Sequence, residues 1–354
     1  MNKKQLKIGI VGGGNVGKFL STMLMSCGYD VELVCRSKHR AIRIDNSYAF
    51  DIKGDYGEKS YLVPFVESID KLSSKKDIII FATKSFDMLE RVNGCLHKLT
   101  PKGMIVTIQN IFSIDKLYDL IPPESSVCMI CDFACVPSGK ATYVKDANGI
   151  TLGVYHRKAV SRMNLLAKVL SCCFKVQITR NFVGFAMGRN IINGAISLLG
   201  GISGLKLDEL LGTHKGRKLF CKAIEEAYKV CVKYKIEVKP YNNQLDYNKF
   251  VSRTIGGLIY RHKILKVLRK QNGHIKSSAL DNIEHGEKTE IRCLLDTIIN
   301  YARKTKSCIH CINLLDENLK EIEQGKRTID KGNINKIFKE LIFTINKCKR
   351  ENKK

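Results

Sequence analysis

A glycine-rich turn close to the start of the chain constrains its fold more than any other feature. The segment KIGIVGGGNVG, residues 7–17, places Gly12, Gly14 and Gly17 in a G-x-G-x-x-G pattern directly after a run typical of a buried strand. In this pattern the first glycine permits a tight turn, the second lets a pyrophosphate approach the backbone, and the third packs helix on strand. The helix that follows offers free N–H groups and a partial positive charge to the phosphates. We therefore predict that a dinucleotide binds at the residues of this loop: Gly12, Gly13, Gly14, Asn15, Val16 and Gly17.

The first half of the chain alternates β-branched apolar runs with helical patterns. Runs at 6–11, 31–35, 77–83 and 104–109 predict buried strands, and apolar spacing after the first run predicts a helix that ends at Gly28. Near-continuous apolar strands separated by helices are typical of a parallel sheet covered on both faces. Shorter strands are expected between 125 and 153, and FKVQIT, residues 174–179, is expected to be the last.

Beyond residue 157 strand signals nearly vanish, and apolar residues recur at helical spacing. The predicted fold class is therefore α/β: an N-terminal Rossmann-type doubly wound sheet, residues 1–178, followed by an all-helical C-terminal domain, residues 179–354. A chain of 354 residues is long enough for two domains with cores of their own.

The chain carries a large excess of positive charge, with 60 Lys and Arg against 34 Asp and Glu. Such an excess raises the alternative of a nucleic-acid partner, whose binding would weaken steeply with salt. The charge is spread along the chain, with local peaks at 261–270 and 346–354, and no zinc-finger or aromatic-rich RNA-binding signature accompanies it. We therefore expect no nucleic-acid partner, and attribute the charge to solubility or to attraction for small anions.

Cysteine content and hydropathy bear on the cellular compartment. No run reaches the ~18 unbroken apolar residues of a membrane helix, and the five-residue apolar run near the N-terminus is too short for a signal peptide. We expect a cytoplasmic protein with no membrane partner, and hence fourteen cysteines that are reduced rather than a disulfide framework. Two clusters have too few well-placed ligands, and we predict no metal site there: Cys128, Cys131 and Cys135, and Cys308, His310 and Cys311.

Polar residues follow three of the predicted strands, at the end of the sheet where open α/β folds bind ligands. A site for NAD would place Asp or Glu after the second strand, whereas Arg36 stands there. A planar guanidinium suits a 2′-phosphate, so the cofactor is predicted to be NADP, with a solvated basic loop as the alternative interpretation of this segment. Lys84 and Asn110 follow two further strands and are predicted to lie beside the cofactor, although either residue could equally be a helix cap or surface group.

Two segments of the second half carry unusual polar residues. In GFAMGRNIINGAISLLGG, residues 184–201, Arg189 and Asn193 interrupt an apolar helical pattern four residues apart, hence on one face. A buried charge costs several kcal/mol unless it is paired. In KSSALDNIEHGEKTEI, residues 276–291, Ser278 precedes Glu290 by twelve residues, and Glu290 begins an apolar helix. Glu290 could simply supply favourable charge at a helix N-terminus, and a purely structural pair of Arg189 with an acid is the alternative to a catalytic one.

Together these segments resemble the ketopantoate reductase (2-dehydropantoate 2-reductase) family along nearly the whole chain. The matching motifs are KIGIVGGGNVG, the basic residue Arg36, TKSFD around Lys84, QN at 109–110, DANGITLG, RNIIN, and SSALDNIEHGEKTEI. The last two are the most specific. The resemblance implies NADPH-dependent reduction of 2-dehydropantoate to pantoate, on the pantothenate route to coenzyme A. It also implies catalytic roles for Arg189 and Glu290 and a substrate site formed by Asn193, Ser197 and Ser278.

The chain departs from the family pattern at four positions. Arg189 replaces the family's catalytic lysine, Ser197 an asparagine, Ile111 a glycine, and Ala279 a methionine. Arginine can stabilise a developing alkoxide but is a poor proton donor. Two alternatives therefore stay open, an NADP-dependent reductase of another small 2-oxo acid and a catalytically silent NADP-binding paralogue. The expected partner is a small 2-oxo acid, and the chain is expected to be a monomer or homodimer.

Overall fold

The computed structural model of the chain describes residues 6–35, 42–108, 120–241, 244–273 and 276–351. These fall into two units, Met1–Phe182 and Val183–Lys354. The boundary predicted from the sequence, after residue 178, lies four residues earlier along the chain.

The first unit is built on one sheet, which has twelve strands among the residues that the structure describes. Their order across the sheet is β12-β11-β8-β7-β6-β1-β2-β5-β4-β10-β9, with β3 paired to β4. The strands are β1 Lys7–Val11, β2 Asp30–Val34, β3 Ile42–Ile44, β4 Ser47–Gly54, β5 Lys59–Val66, β6 Lys76–Phe81, β7 Leu99–Thr107, β8 Ser126–Cys131, β9 Ala134–Ser138, β10 Ala141–Lys145, β11 Ile150–Gly153 and β12 Val176–Ile178.

The centre of this sheet is parallel, as the apolar runs predicted. The parallel pairs run in the order β8-β7-β6-β1-β2-β5. Antiparallel pairs join β4 to β5, β9 to β10, and β11 to β8. The α/β fold class is confirmed. The extension formed by β3, β4 and β5 was not predicted from the sequence, because its strands alternate exposed and buried residues and lack a continuous apolar run.

Helices cover both faces of the sheet, which is why the central strands are apolar on both sides. The first unit contains α1 Asn15–Ser26, α2 Ser85–Val92 and α3 Val160–Leu170, with short 3₁₀ turns at Ile69–Lys71, Asn93–Lys98, Pro123–Ser125 and Arg157–Ala159. Side chains alternate along a strand, so Ile78 and Ile80 join the core beneath α1 and α3. Ile79 and Phe81 join the core beneath α2. Each face of β6 is thus buried by a different helix layer.

A buried ion pair crosses the sheet near the amino end of β6. Lys76 Nζ lies 2.8 Å from Glu32 Oε2, and only 1% of the Lys76 side chain is exposed. The backbone N–H and the hydroxyl of Ser73 donate further hydrogen bonds to the same carboxylate oxygen, each at 3.1 Å. The carboxylate and the ammonium therefore satisfy each other inside the unit.

The second unit is helical throughout the part that the structure describes, apart from one isolated bridge between Tyr241 and Leu245. Its helices are α4 Phe182–Ser203, which begins at the last residue of the first unit, α5 Leu207–Gly212, α6 His214–Lys233, α7 Tyr247–Val251, α8 Ile255–Asn272, α9 Ser278–Glu284, α10 Ile291–Lys304, α11 His310–Glu323 and α12 Gly332–Glu351. The all-helical second domain is thereby confirmed.

Helix α4 is the central element of this unit. Of the helices in the described ranges, α4 is the one long and apolar enough to cross a membrane by length and composition alone, yet 72% of its most apolar stretch is buried inside the protein. Burial of that extent is typical of a core helix.

Candidate functional site

The glycine loop after β1 has the geometry that a phosphate cradle requires. Gly12 has a φ of +120°, and a Cβ there would lie 2.6 Å from the carbonyl oxygen of Ala82. A Cβ on Gly17 would lie 1.9 Å from the carbonyl oxygen of Gly12, so only glycine lets α1 begin this close to β1. By contrast, a Cβ on Gly14 would meet nothing within 4 Å. The residue that should face a pyrophosphate therefore borders open space at the N-terminus of α1, where phosphates are favoured.

The neighbouring strand β6 ends beside this loop. The N–H of Ala82 donates to the carbonyl of Val11 at 2.8 Å, and Lys84 follows as the N-cap residue of α2. Because adjacent parallel strands end at one edge of the sheet, Lys84 is placed at the same edge as the glycine loop. The other two predicted cofactor residues, Arg36 and Asn110, lie outside the described residues.

The structure places a cation near the end of β2 that was not predicted from the sequence. Lys18 directly follows Gly17, and its ammonium lies 5.5 Å from the centroid of the Phe50 ring. Burial lowers the pKa of Lys18, while the nearby Cys35 thiol, which follows β2, acts in the opposite direction. The end of the second strand is where a Rossmann fold binds the adenosine ribose. The signal in the sequence was the lysine immediately after the third glycine.

The first turns of α4, which carry Arg189, are fixed by the segment that follows α6. The N–H of Lys239 donates to the carbonyl of Gly184 at 2.9 Å, and the Tyr247 hydroxyl donates to the carbonyl of Gly188. Burial raises the pKa of Tyr247, so this hydroxyl keeps its proton. A Cβ on Gly188 would lie 2.1 Å from the carbonyl oxygen of Lys239, so this approach requires glycine. The backbone next to Arg189 is thus fixed by two residues of this segment, Lys239 and Tyr247.

Arg189, Asn193 and Ser197 are spaced four residues apart in α4 and therefore share one helix face. Arg189 and Asn193 are half-buried, and Ser197 is 8% exposed. The Ser197 hydroxyl lies 3.2 Å from that of Ser278, at the start of α9. The structure therefore brings two of the predicted substrate residues together, and it leaves Arg189 partly accessible rather than enclosed.

The start of α9 is packed tightly against α4. Ser277 is buried and accepts a hydrogen bond from the N–H of Leu280, as an N-cap residue does. A Cβ on Gly200 would lie 2.6 Å from the Ser277 hydroxyl, and one on Gly201 would lie 3.2 Å from the Ala279 Cβ. Ser277 thus sets the position of Ser278, and the small Ala279 suits the close contact at Gly201.

Glu290 is exposed and precedes α10 as its N-cap residue. Its neighbours fix it: Thr289 donates to Glu323 at 2.6 Å, and Arg292 Nε donates to the second oxygen of Glu323 at 2.7 Å. Arg292 also pairs with the buried Asp316. Glu290 is therefore held on an ordered helix start, which suits the role of charge at a helix N-terminus, while its pairing with Arg189 stays a prediction.

The second unit thus presents a guanidinium, an amide and paired hydroxyls, a set that can bind a carboxylate and stabilise a developing alkoxide. The first unit presents a glycine loop that fits dinucleotide phosphates. Two family models match the chain, "Ketopantoate reductase PanE/ApbA" over residues 8–156 and its C-terminal counterpart over 181–323. The chain belongs to the ketopantoate reductase family. It is therefore an oxidoreductase of that family, as the sequence resemblance implied.

Individual relatives are distant. Proteins from Pyrococcus abyssi and Pyrococcus horikoshii, both named 2-dehydropantoate 2-reductase, are 22% identical to this chain over 304 and 303 residues, which span 84% of this chain and 91% of each relative. A D-mandelate dehydrogenase, solved with NADH and anilino(oxo)acetate, superposes with a TM-score of 0.75 at 17% identity, covering 91% of this chain and all of that one. A ketopantoate reductase from Ralstonia eutropha gives a TM-score of 0.73 at 18% identity with the same coverage. These structures establish the shared fold.

Proposed function

We propose that the protein reduces 2-dehydropantoate to pantoate with NADPH, a step of pantothenate and coenzyme A biosynthesis. The observation that carries the proposal is the polar face of α4, on which Arg189 and Asn193 lead to a Ser197 hydroxyl 3.2 Å from that of Ser278. A small 2-oxo acid offers this face a carboxylate, a ketone oxygen and a hydroxyl. The relatives named 2-dehydropantoate 2-reductase support the choice of substrate.

Each residue of the face has a proposed role. When bound, the nicotinamide supplies a hydride to the ketone carbon. Arg189 stabilises the negative charge that develops on the ketone oxygen, an effect worth ~3–4 kcal/mol for one preorganised donor in other enzymes. Asn193, Ser197 and Ser278 bind the substrate carboxylate and hydroxyl, and Glu290 compensates the charge of Arg189. Because a guanidinium has a pKa above ~12, the proton that completes the alcohol comes from water or from another group.

NADP is proposed over NAD from two cations near the end of β2. Arg36 replaces the acidic residue that binds a ribose hydroxyl in NAD sites. Lys18 supplies a second cation next to Cys35. The experiment compares NADPH and NADH affinities of the wild type with those of Lys18→Met and Arg36→Asp. Both variants should weaken NADPH binding far more than NADH binding, with the exposed Lys53→Met as the control. Equal wild-type affinities that neither substitution changes would contradict the NADP preference and leave the fold untouched.

The decisive experiment for the reaction is an NADPH-oxidation assay with 2-dehydropantoate and a panel of branched, linear and aromatic 2-oxo acids. Highest kcat/KM with 2-dehydropantoate supports the proposal. No turnover with any member, despite tight NADPH binding, would indicate a silent paralogue. Nucleic-acid binding that falls steeply with salt and ignores NADPH would indicate a different function for the excess charge.

A second candidate is reduction of another 2-oxo acid. Arg189 and Ser197 both depart from the family pattern and both lie on the proposed substrate face. The structural neighbour that acts on D-mandelate, a 2-hydroxy acid with an aromatic side chain, shows that this fold accommodates other side chains. Preference for an aromatic 2-oxo acid in the same panel would favour this candidate.

We also propose a cellular location and an oligomeric state for the protein. All fourteen cysteines are free thiols, which suits the reducing cytoplasm that we propose as the location. The ketopantoate reductase from Staphylococcus aureus among the structural neighbours is described as dimeric, and we propose a monomer or homodimer for this chain, to be decided by light scattering.

A further inference from the structure

Three cysteines of the first unit meet far from the glycine loop in sequence. Cys27 follows the last residue of α1, and Cys172 and Cys173 follow the end of α3. Their three sulfur atoms all lie within 4.8 Å of one another, and the Cys172 and Cys173 sulfurs are 3.7 Å apart. Among the residues that the structure describes, this is the one group of three His, Cys, Asp or Glu side chains close enough to bind one ion. This cluster was not predicted from the sequence, because its members come together only in the fold.

The backbone holds the three cysteines in place. The N–H of Cys27 donates to the carbonyl of Leu24 at 3.1 Å, and the N–H of Cys173 donates to that of Leu170 at the same distance. Gly28, with a φ of +83°, turns the chain directly after Cys27. All three side chains are half-buried against the apolar core beneath α1 and α3. The three cysteines are therefore held in place and remain partly accessible to solvent.

Two of the three thiols, those of Cys27 and Cys173, have a raised pKa. Burial and the neighbouring Cys172 thiol raise the pKa of Cys27. The Cys172 thiol and burial likewise raise the pKa of Cys173. Thiolates, not thiols, react with oxidants, so this environment disfavours a rapidly oxidised redox pair.

We propose that Cys27, Cys172 and Cys173 form a binding site for Zn²⁺, a thiophilic divalent d¹⁰ cation. Tetrahedral sulfurs at the usual Zn–S distance of ~2.3 Å lie ~3.8 Å from one another, close to the separation of Cys172 and Cys173. Thiolates select soft and borderline cations over Mg²⁺ or Ca²⁺. On binding, the three thiols release three protons and form three Zn–S bonds, and a water occupies the fourth position on the solvent side.

Such an ion would join two helix ends that are 145 residues apart in sequence, at Cys27 and Cys172. Because α1 begins at the dinucleotide loop, the ion would stabilise the helix whose N-terminus faces the phosphates. The expected effect is therefore on the stability of the first unit, and it is independent of which substrate the protein reduces.

The test uses the reduced full-length protein and Zn²⁺ in competition with a chromophoric chelator. Co²⁺ serves as a spectroscopic probe, because thiolate ligation gives a sulfur-to-cobalt charge-transfer band and tetrahedral geometry intensifies the visible bands. The variants are Cys27→Ser and Cys172→Ser, and the matched control is Cys308→Ser, which removes an exposed thiol outside the cluster. We expect one equivalent of Zn²⁺ in the wild type and the control, and at least tenfold weaker binding in both cluster variants.

Thermal unfolding provides a readout that does not depend on the chelator. Zn²⁺ should raise the Tm of the wild type and of Cys308→Ser, and should leave that of Cys27→Ser unchanged. Folding of each variant is checked by circular dichroism, and Cys173→Ser replaces any variant that fails to fold. Failure of the reduced wild type to take up Zn²⁺, or equal uptake by the cluster variants, would overturn the proposal. So would a disulfide within the trio that persists in the purified protein under mild reductant.

Discussion

The hydroxyl oxygens of Ser197 and Ser278 lie 3.2 Å apart, although 81 positions separate the two residues in the chain. The contact joins the middle of α4 to the first residue of α9. Ser277, the N-cap residue just before Ser278, packs against Gly200, which follows Ser197 in α4 by about one helical turn. The pair is thus positioned by helix packing rather than by a flexible loop.

Removing either hydroxyl should raise the KM for the 2-oxo acid. We expect Ser197→Ala and Ser278→Ala each to raise KM about two- to tenfold, the equivalent of the ~0.5–1.5 kcal/mol typical of one hydrogen bond. The double variant should lose less than the product of the two effects, because the hydroxyls act on each other. Steady-state kinetics measures both. Ser171→Ala, which removes an exposed hydroxyl bonded to its own helix, is the control. Unchanged KM in both single variants would place the substrate elsewhere.

Arg189→Ala should lower kcat by a factor of ~10²–10³, the usual effect of losing one oxyanion donor. NADPH affinity and Tm should stay close to those of the wild type. Arg189→Lys should keep or raise kcat, because an ammonium can both stabilise the alkoxide and donate a proton. The control is Arg303→Ala on the exposed face of α10. A structural role would give the opposite pattern, a loss of ~3–5 kcal/mol in stability and no gain with lysine.

Alanine substitutions at Gly14 and Gly17 should distinguish an effect on NADPH affinity from an effect on stability. In Gly14→Ala the new Cβ enters open space, so Tm should change little, while NADPH affinity should fall about tenfold or more, ~1.4 kcal/mol or above. In Gly17→Ala the Cβ would lie 1.9 Å from the Gly12 carbonyl oxygen, and we expect a loss of about 1–3 kcal/mol in stability. Titration followed by NADPH fluorescence measures the affinity. Equal NADPH affinity in Gly14→Ala and the wild type would exclude this loop as the phosphate site.

The Glu32–Lys76 pair should make stability depend on pH. Burial acts to raise the pKa of Glu32, but Lys76 and the two bonds from Ser73 outweigh it and leave that pKa lowered. A lowered folded-state pKa contributes stability above the unfolded value of ~4.3, and the contribution is lost as pH falls through the folded value. Glu32→Gln should therefore lose ~3–5 kcal/mol at pH 7 and show a flatter stability profile below pH ~5 than the wild type.

Urea unfolding at several pH values measures this difference. Glu67→Gln, which removes an exposed partner of Lys71, should change the stability and its pH profile far less, because a pair in water contributes little. The double variant Glu32→Gln/Lys76→Met should recover part of the loss, because it no longer buries an unpaired ammonium. A Glu32→Gln protein as stable as the wild type would show that the pair contributes nothing.

The sequence predicted the central strands well because β1, β6 and the second half of β7 are nearly continuously buried and carry unbroken apolar runs. It predicted α1 and its end at Gly28 because helix spacing and a C-terminal glycine agree there. It did not predict β4 and β5, whose faces alternate between core and solvent and whose pairing is antiparallel. In β4 the buried Tyr48, Phe50 and Ile52 alternate with less buried residues, which is typical of a half-buried strand, but a prediction based on continuous apolar runs does not detect this pattern.

The sequence was enough to predict which residues form the candidate site, but not which of them contact each other. Arg189, Asn193 and Ser197 follow from the helical period, whereas the approach of Ser278 to Ser197 depends on packing between α4 and α9. Lys18 and the Cys27–Cys172–Cys173 cluster were missed for the same reason, since each depends on which helix end faces which strand. Local patterns carry no information on such long-range neighbours.

The glycines of α4 set a rule for redesigning this enzyme. Gly188, Gly194 and Gly200 recur every six residues, and a Cβ on each would collide with Lys239, Leu294 and Ser277 respectively. The helix that carries the proposed substrate face is thus closely packed at these positions, and a library aimed at new 2-oxo acids should hold all three constant. The varied positions should be Asn193 and Ser197, the proposed substrate-binding residues, where a new side chain should change substrate preference and keep the packing of α4.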